Sequence, residues 1–271
     1  MVVDQSRQEP SPEKPSPEQP LPQLLTIDCG NSTIRCRRDD GLVWATDSTR
    51  PDFASLATFV GSRATRAVAV SVVPAALAAT RSTLAGLDVA IAVADDDLPC
   101  PMPLAYDTVA TLGADRWLGA FAAHTLFGGG PDGGTRAVIT IDCGTATTVN
   151  VVDRDGVFHG GAIAPGLAAF VAGLAAKAPA LPAADLDADP VLPAKSTQAC
   201  VDSGVLLGWA GLVERLVAGV QDAFDGEAGL VLTGGNATRL LRLSDIGLAA
   251  EHVPDLIHDG LVALAGVRPA N

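Results

Sequence analysis

Aromatic residues make up only 4% of this 271-residue chain, with a single Tyr and three Trp. Large rings cannot carry its core, so Ala, Val and Leu must fill it. Basic residues are scarce as well: 18 Lys and Arg stand against 31 Asp and Glu, a net charge of −13. Such a surface repels phosphate backbones, whose binding needs clustered Lys and Arg, and this excludes nucleic acid as an expected partner. A small phosphorylated ligand is not excluded, because metal ions can supply the positive charge. The five cysteines, Cys29, Cys36, Cys100, Cys143 and Cys200, contain no CxxC spacing and are odd in number. They form neither a disulfide framework nor a zinc site on paper, so a reducing, cytoplasmic setting is expected. A basic-then-apolar leader is missing, and the longest apolar stretch, Ala162 to Ala176, is broken by Pro165-Gly166. It falls short of the roughly 20 residues that span a bilayer, so no membrane association is expected.

What is present is a chain of 48% hydrophobic residues, long enough for one large or two ordinary domains. Residues 1–23 hold six prolines, four acids and two bases and almost nothing apolar, the composition of a disordered tail. From Leu24 the composition changes, and the organising feature follows. Thr26-Ile27-Asp28-Cys29-Gly30 recurs 114 positions later as Thr140-Ile141-Asp142-Cys143-Gly144. Each copy follows an apolar run, and each leads into small hydroxyl or amide residues: Asn31-Ser32-Thr33 in one, Thr145-Ala146-Thr147-Thr148 in the other. The duplicated unit reads as strand, turn, strand. An Asp at a strand end can hold a hydrated cation, the Gly after it lets backbone approach a ligand, and hydroxyls with free N–H groups suit phosphate oxygens. Cys29 and Cys143 occupy equivalent positions and read as small apolar fillers of their strands, with proximity in space left open.

Along the first half, short apolar runs at 24–28, 67–73 and 89–94 read as strands, and 33–37 with 42–45 as a hairpin around Asp39-Asp40-Gly41. Helical spacing occupies 53–59 and 75–85. A clear amphipathic helix covers 112–126, with Trp117, Leu118 and Phe121 on one face and Asp115 and Arg116 in its first turn. The Gly-rich stretch 128–136 marks the boundary between halves. Strands at 137–142, 147–153 and 157–163 then repeat the pattern, followed by a helix to about Lys177, a long helix over 197–224 and a last strand ending in Thr233-Gly234-Gly235-Asn236. Strands alternating with helices imply an α/β fold.

Five segments occur in the same order as in type III pantothenate kinases: Asp28-Cys29-Gly30-Asn31-Ser32; Gly113-Ala114-Asp115-Arg116; Asp142-Cys143-Gly144-Thr145-Ala146-Thr147-Thr148; Gly160-Gly161-Ala162-Ile163-Ala164-Pro165-Gly166-Leu167; and Thr233-Gly234-Gly235. The chain resembles that family from about Leu24 to Val262. The family belongs to the acetate kinase, sugar kinase, Hsp70 and actin superfamily. The resemblance therefore implies an α/β protein of two ribonuclease-H-like (actin-like ATPase) domains with mixed sheets and flanking helices. Their expected extents are 24–128 and 129–271, the second carrying a long interface helix. It implies ATP-dependent phosphorylation of pantothenate, the first step of coenzyme A biosynthesis, by a homodimer.

Carried over by position, the resemblance makes Asp28, Cys29, Gly30, Asn31, Ser32, Thr33, Ile34 and Arg35 the first ATP phosphate loop, with Asp28 holding magnesium through the phosphates. Thr145 resembles a second ATP contact, and Asp142 the ligand of a monovalent cation, potassium or ammonium. Tyr106, Gly113, Ala114, Asp115 and Arg116 resemble the pantothenate site, with Asp115 as the base that accepts the hydroxyl proton. Thr197 resembles a substrate contact supplied across a dimer interface. Ser32 stands where Thr is usual in the family, the stretch after Thr33 is short, and the loop 128–136 is long. The alternatives are another small-molecule kinase or phosphohydrolase of the superfamily, or a catalytically silent nucleotide-binding regulator.

Overall fold

A computed structural model of the protein describes residues 23–61, 64–129, 135–224 and 228–266. The expected tail, but for Gln23, and the middle of the Gly-rich loop lie outside those residues. The first half is built from β1 (Gln23–Cys29), β2 (Thr33–Arg38), β3 (Val43–Asp47), α1 (Phe53–Val60), β4 (Ala64–Ser71), α2 (Pro74–Ala85), β5 (Ala90–Val93) and α3 (Ala114–Phe127). The second half contains β6 (Val138–Cys143), β7 (Ala146–Val152), β8 (Phe158–Pro165), α4 (Leu167–Lys177), α5 (Thr197–Ala223), β9 (Gly229–Thr233), α6 (Ala237–Leu243), β10 (Ala250–His252) and α7 (Leu256–Gly266).

Each half forms a five-stranded mixed sheet, ordered β3-β2-β1-β4-β5 and β8-β7-β6-β9-β10. The two orders are the same. In each, the strand carrying TIDCG is central, antiparallel to the strand after it and parallel to the one on its other side. A central strand covered on both faces favours apolar residues along most of its length. That is why Thr-Ile-Asp-Cys follows an apolar run in both copies. The hairpin after the first copy is shorter than its counterpart, six and five residues in β2 and β3 against seven and eight in β7 and β8, but it is fully paired.

Local chemistry sets the helix starts. Asp52 caps α1 by accepting from the Ser55 N–H at 3.1 Å, Pro74 opens α2, and Ser196 caps α5 by accepting from the Ala199 N–H at 3.2 Å. The buried face of α5, including Val201, Val205, Trp209 and Val213, packs into the second half's core with Ile139, Ile141 and Leu232. By length and composition alone α5 could cross a membrane, yet this apolar face is already committed to the core.

The period of two along a strand decides what each half shows the other. Leu25, Ile27 and Cys29 point into the outer core of the first half, and Ile139, Ile141 and Cys143 into that of the second. Thr26 with Asp28, and Thr140 with Asp142, point the opposite way. Cys29 and Cys143 thus sit in separate cores, both buried, their thiols pushed by burial up to about 11 and about 12. Between the sheets lies a third apolar cluster in which Val68, Val70, Trp117 and Leu118 meet Val152, Phe158, Leu261 and Leu264. The last helix, α7, therefore returns from the second half of the chain to pack on α3, β1 and β4. Arg37 ties it there through Asp259 at 2.7 Å and Asp255 at 3.6 Å.

Candidate active site

The two inward-facing Asp residues stand at the ends of β1 and β6, where the central strands give way to turns. A cleft of about 490 Å³ opens between them, lined by Asp28, Gly30, Asn31, Ser32, Thr33 and Arg35 from the first half. The second half supplies Thr140, Asp142, Gly144, Thr145, Thr148 and Asn150, together with the turn Thr233-Gly234-Gly235-Asn236. Asp115 and Arg116, at the start of α3, complete the lining. At the mouth, the Ser32 and Thr145 hydroxyls lie 2.7 Å apart, so the two turns converge on one spot.

Asp28 and Asp142 are both pushed upward, to about 7 and about 6. Burial is the main cause for both. Repulsion from Asp142 and Asp115 adds to it at Asp28, where the Arg35 charge works in the opposite direction, and repulsion from Asp115 adds to it at Asp142. No hydrogen bond from a described residue stabilises either carboxylate. Thr140, on the same face of β6 as Asp142, also leaves its buried Oγ1 without a partner. These unpartnered oxygens fit a ligand that brings cations. Among the described residues, however, no three His, Cys, Asp or Glu side chains converge to chelate an ion by themselves. A cation here needs oxygen ligands from a bound molecule or water as well.

Asp115 is placed by backbone. Gly113 precedes the helix with no side chain of its own, and a Cβ there would come within 2.6 Å of Asp115 Oδ1. That oxygen accepts from the Arg116 N–H at 2.8 Å, in the first turn where the helix dipole favours negative charge. Burial still raises the Asp115 carboxyl above the usual range, with the Arg116 N–H and guanidinium opposing. The result is a partly desolvated carboxylate with its second oxygen uncommitted to the helix. Arg116 reaches across to Asn150 and to the Tyr106 hydroxyl, 3.2 Å away.

On the other side of Asp142, Gly234 adopts φ +91°, and a Cβ there would collide with Asp142 Oδ1 and lie 2.7 Å from the Cys143 backbone. Only glycine lets the third turn close against the second Asp-Gly turn.

Not every residue singled out in the sequence reaches the cleft. Cys29 and Ile34 are buried in the first core, and Ala114 in the cluster between the sheets. Gly113 and Tyr106 are not on the lining, Tyr106 touching it only through Arg116. Thr197 is exposed and lies in a separate apolar groove between α4 and α5, beside Phe170, Leu174, Leu181 and Val201. Conversely, Thr140, Asn150, Asp255 and His258 belong to the lining although none was given a site role from the sequence, Thr140 despite opening the second TIDCG copy. For Thr140 and Asn150 a signal existed, since each is two residues from a site residue on the same strand face. For Asp255 and His258 none did, because α7 reaches the cleft only through the return of the chain.

Fold and cleft together define the class: two ribonuclease-H-like halves, each a five-stranded mixed sheet with flanking helices, with one cleft between their central strands. Solved structures share this fold, among them a conserved putative Baf family transcriptional activator from Campylobacter jejuni. It is 17% identical, with a TM-score of 0.52 over 89% of this chain and 95% of that one. The ethanolamine utilization protein EutJ from Carboxydothermus hydrogenoformans, also 17% identical, matches with a TM-score of 0.50 over 92% and 91%. The chain belongs to the type III pantothenate kinase family, whose family model it matches over residues 24–219. It is 34% identical to the type III pantothenate kinase of Acidiphilium cryptum (strain JF-5), over 91% of this chain and 95% of that protein. Identity to the enzyme of the same name from Gluconobacter oxydans (strain 621H) is 35%, over 89% and 92%.

Proposed function

We propose that this protein transfers the γ-phosphoryl group of ATP to the primary hydroxyl of pantothenate, giving 4′-phosphopantothenate on the way to coenzyme A. The observation that carries the reading is the placement of Asp115, a desolvated carboxylate at a helix start, in one cleft with Asp28 and Asp142. The ATP phosphates lie along Gly30 to Arg35 and against Thr145, whose hydroxyl meets that of Ser32 at 2.7 Å. Asp28 would hold magnesium through those phosphates, and Asp142 with the unpartnered Thr140 Oγ1 would hold a monovalent cation. When bound, these ions neutralise charge on the transferring phosphoryl group. Asp115 accepts the proton of the attacking hydroxyl as its oxygen bonds to phosphorus, and the bond from phosphorus to the bridging oxygen of ADP breaks. Arg116 meets the acceptor's carboxylate.

The functional unit in this reading is a homodimer. The groove holding Thr197 is apolar, and Leu174 and Leu181 on it are 36% and 40% exposed. A second copy seated there brings Thr197 to its partner's acceptor site. All five cysteines are free, which suits the cytoplasm. The test is incubation of purified protein with ATP, magnesium, potassium and pantothenate, with phosphopantothenate detected by mass spectrometry. ATP consumption without phosphorylated acceptor would favour a phosphohydrolase, and nucleotide binding without turnover a silent regulator.

A further inference from the structure

Arg116 carries five N–H donors, and three of them are engaged within the protein. Nε and Nη2 donate to Asn150 Oδ1 at 2.9 and 2.6 Å, and Nη1 donates to the Tyr106 hydroxyl at 3.2 Å. One N–H remains on each terminal nitrogen. Among the described residues those two have no partner, so two donors remain for the two oxygens of a carboxylate.

Asn150 comes from the middle of β7 in the second half, where it is 2% exposed and pairs across the sheet with Thr140. The direction of its amide is chemically forced. A guanidinium can only donate, so Oδ1 must face Arg116, and Nδ2 then donates to Thr148 Oγ1 at 3.2 Å. A long Arg side chain at a helix start has no fixed direction of its own. Here one edge is gripped by a rigid buried strand and the guanidinium is backed by the Tyr106 ring at 5.7 Å.

We infer that Asn150 is a positioning residue for the acceptor: by holding one edge of Arg116, it aims the remaining donors of the guanidinium at the acceptor's carboxylate beside Asp115. The inference rests on the kinase reading above. A buried Asn that merely satisfied its own amide would affect folding and leave substrate preference unchanged. A positioning residue changes the KM of one substrate.

The experiment compares wild type with Asn150→Ala and Asn150→Asp, using pantothenate and a neutral analogue in which an alcohol replaces its carboxylate. Asn150→Ala raises the KM for pantothenate about tenfold or more and leaves the KM for ATP within about twofold. It also narrows the preference for pantothenate over the neutral analogue. Asn150→Asp, which keeps an acceptor oxygen at the same place, recovers most of the affinity. Should Asn150→Ala fail to fold, Asn150→Val, suited to a β-strand, takes its place. An active wild type with an unchanged pantothenate KM in the Ala or Val variant overturns this inference alone, as does an equal rise for both acceptors. A wild type that phosphorylates no pantothenate overturns the kinase reading and this inference with it.

Discussion

Ser32 and Thr145, one from each half of the chain, bring their hydroxyls to 2.7 Å across the mouth of the cleft. The pair is exposed, so its net contribution to stability is small, below roughly 1 kcal/mol. Its value lies in place: two turns that the duplication made alike end on one point, where phosphate oxygens can take the donors of both. Ser32→Ala and Thr145→Ala should each raise the KM for ATP several-fold, leave the KM for pantothenate near wild type and melt within a degree or two of it. Steady-state kinetics with each substrate varied in turn checks this, and an effect confined to pantothenate would contradict the placement.

Asp115→Asn keeps the size and much of the hydrogen bonding of the side chain but cannot accept the hydroxyl proton. We expect kcat to fall by about 10²–10⁴ with little change in melting temperature. The change also relieves repulsion on Asp28 and Asp142, so the variant should be no less stable than wild type. Turnover at the wild-type rate would remove the base from Asp115.

The raised carboxyls predict a pH dependence of the ligand-free protein. Asp28, moved from 3.8 to about 7, and Asp142, moved to about 6, hold protons in the folded state that the unfolded chain has already released. Their contribution to stability therefore falls as pH rises from about 4 to 7, opposite in sign to a salt-bridged Asp, while His258, pushed by burial down to about 4, contributes in the other direction over part of that range. Asp28→Asn should match wild type at pH 4, melt several degrees higher at pH 8 and be poorly active. Each kcal/mol regained is worth roughly 2–4 °C in a chain of this size. Melting scans of both proteins across that range decide it, and a difference between Asp28→Asn and wild type that is the same at pH 4 and pH 8 would count against the buried-charge account.

Gly234→Ala places a methyl group against Asp142 and the Cys143 backbone at a φ of +91°. A cost of about 1–3 kcal/mol in stability is expected, read from chemical denaturation. In the active enzyme the same variant should lose its response to potassium, because Asp142 is the side chain displaced. Unaltered potassium activation would show that Asp142 does not hold the ion.

Much of the cleft was legible because duplication writes the same local chemistry twice. Each TIDCG had to be a buried strand ending in a turn, and period two put Asp and Cys on opposite faces whatever the rest of the chain did. Asp115 and Arg116 were legible as a helix start, and their role through the motif order. Asn150 was less visible. It reads as one polar residue in a strand, and its meaning comes from Arg116, 34 positions away in sequence but bonded to it at 2.6 Å.

Although α6, β10 and α7, beyond the strand that reads as the last, appear only in the structure, the sequence by itself determined the elements up to β9, their order, the equivalence of the halves and the residues able to carry charge or accept a proton. These follow from local periodicity, turn chemistry and the repeat, which act over a few residues. Only the tertiary structure decided that the two Asp-Gly turns meet and that α7 returns to the first sheet. It alone placed Thr197 outside the cleft and tied Arg116 to Asn150. Those outcomes depend on which apolar faces bury each other, and that is settled by packing across the whole chain.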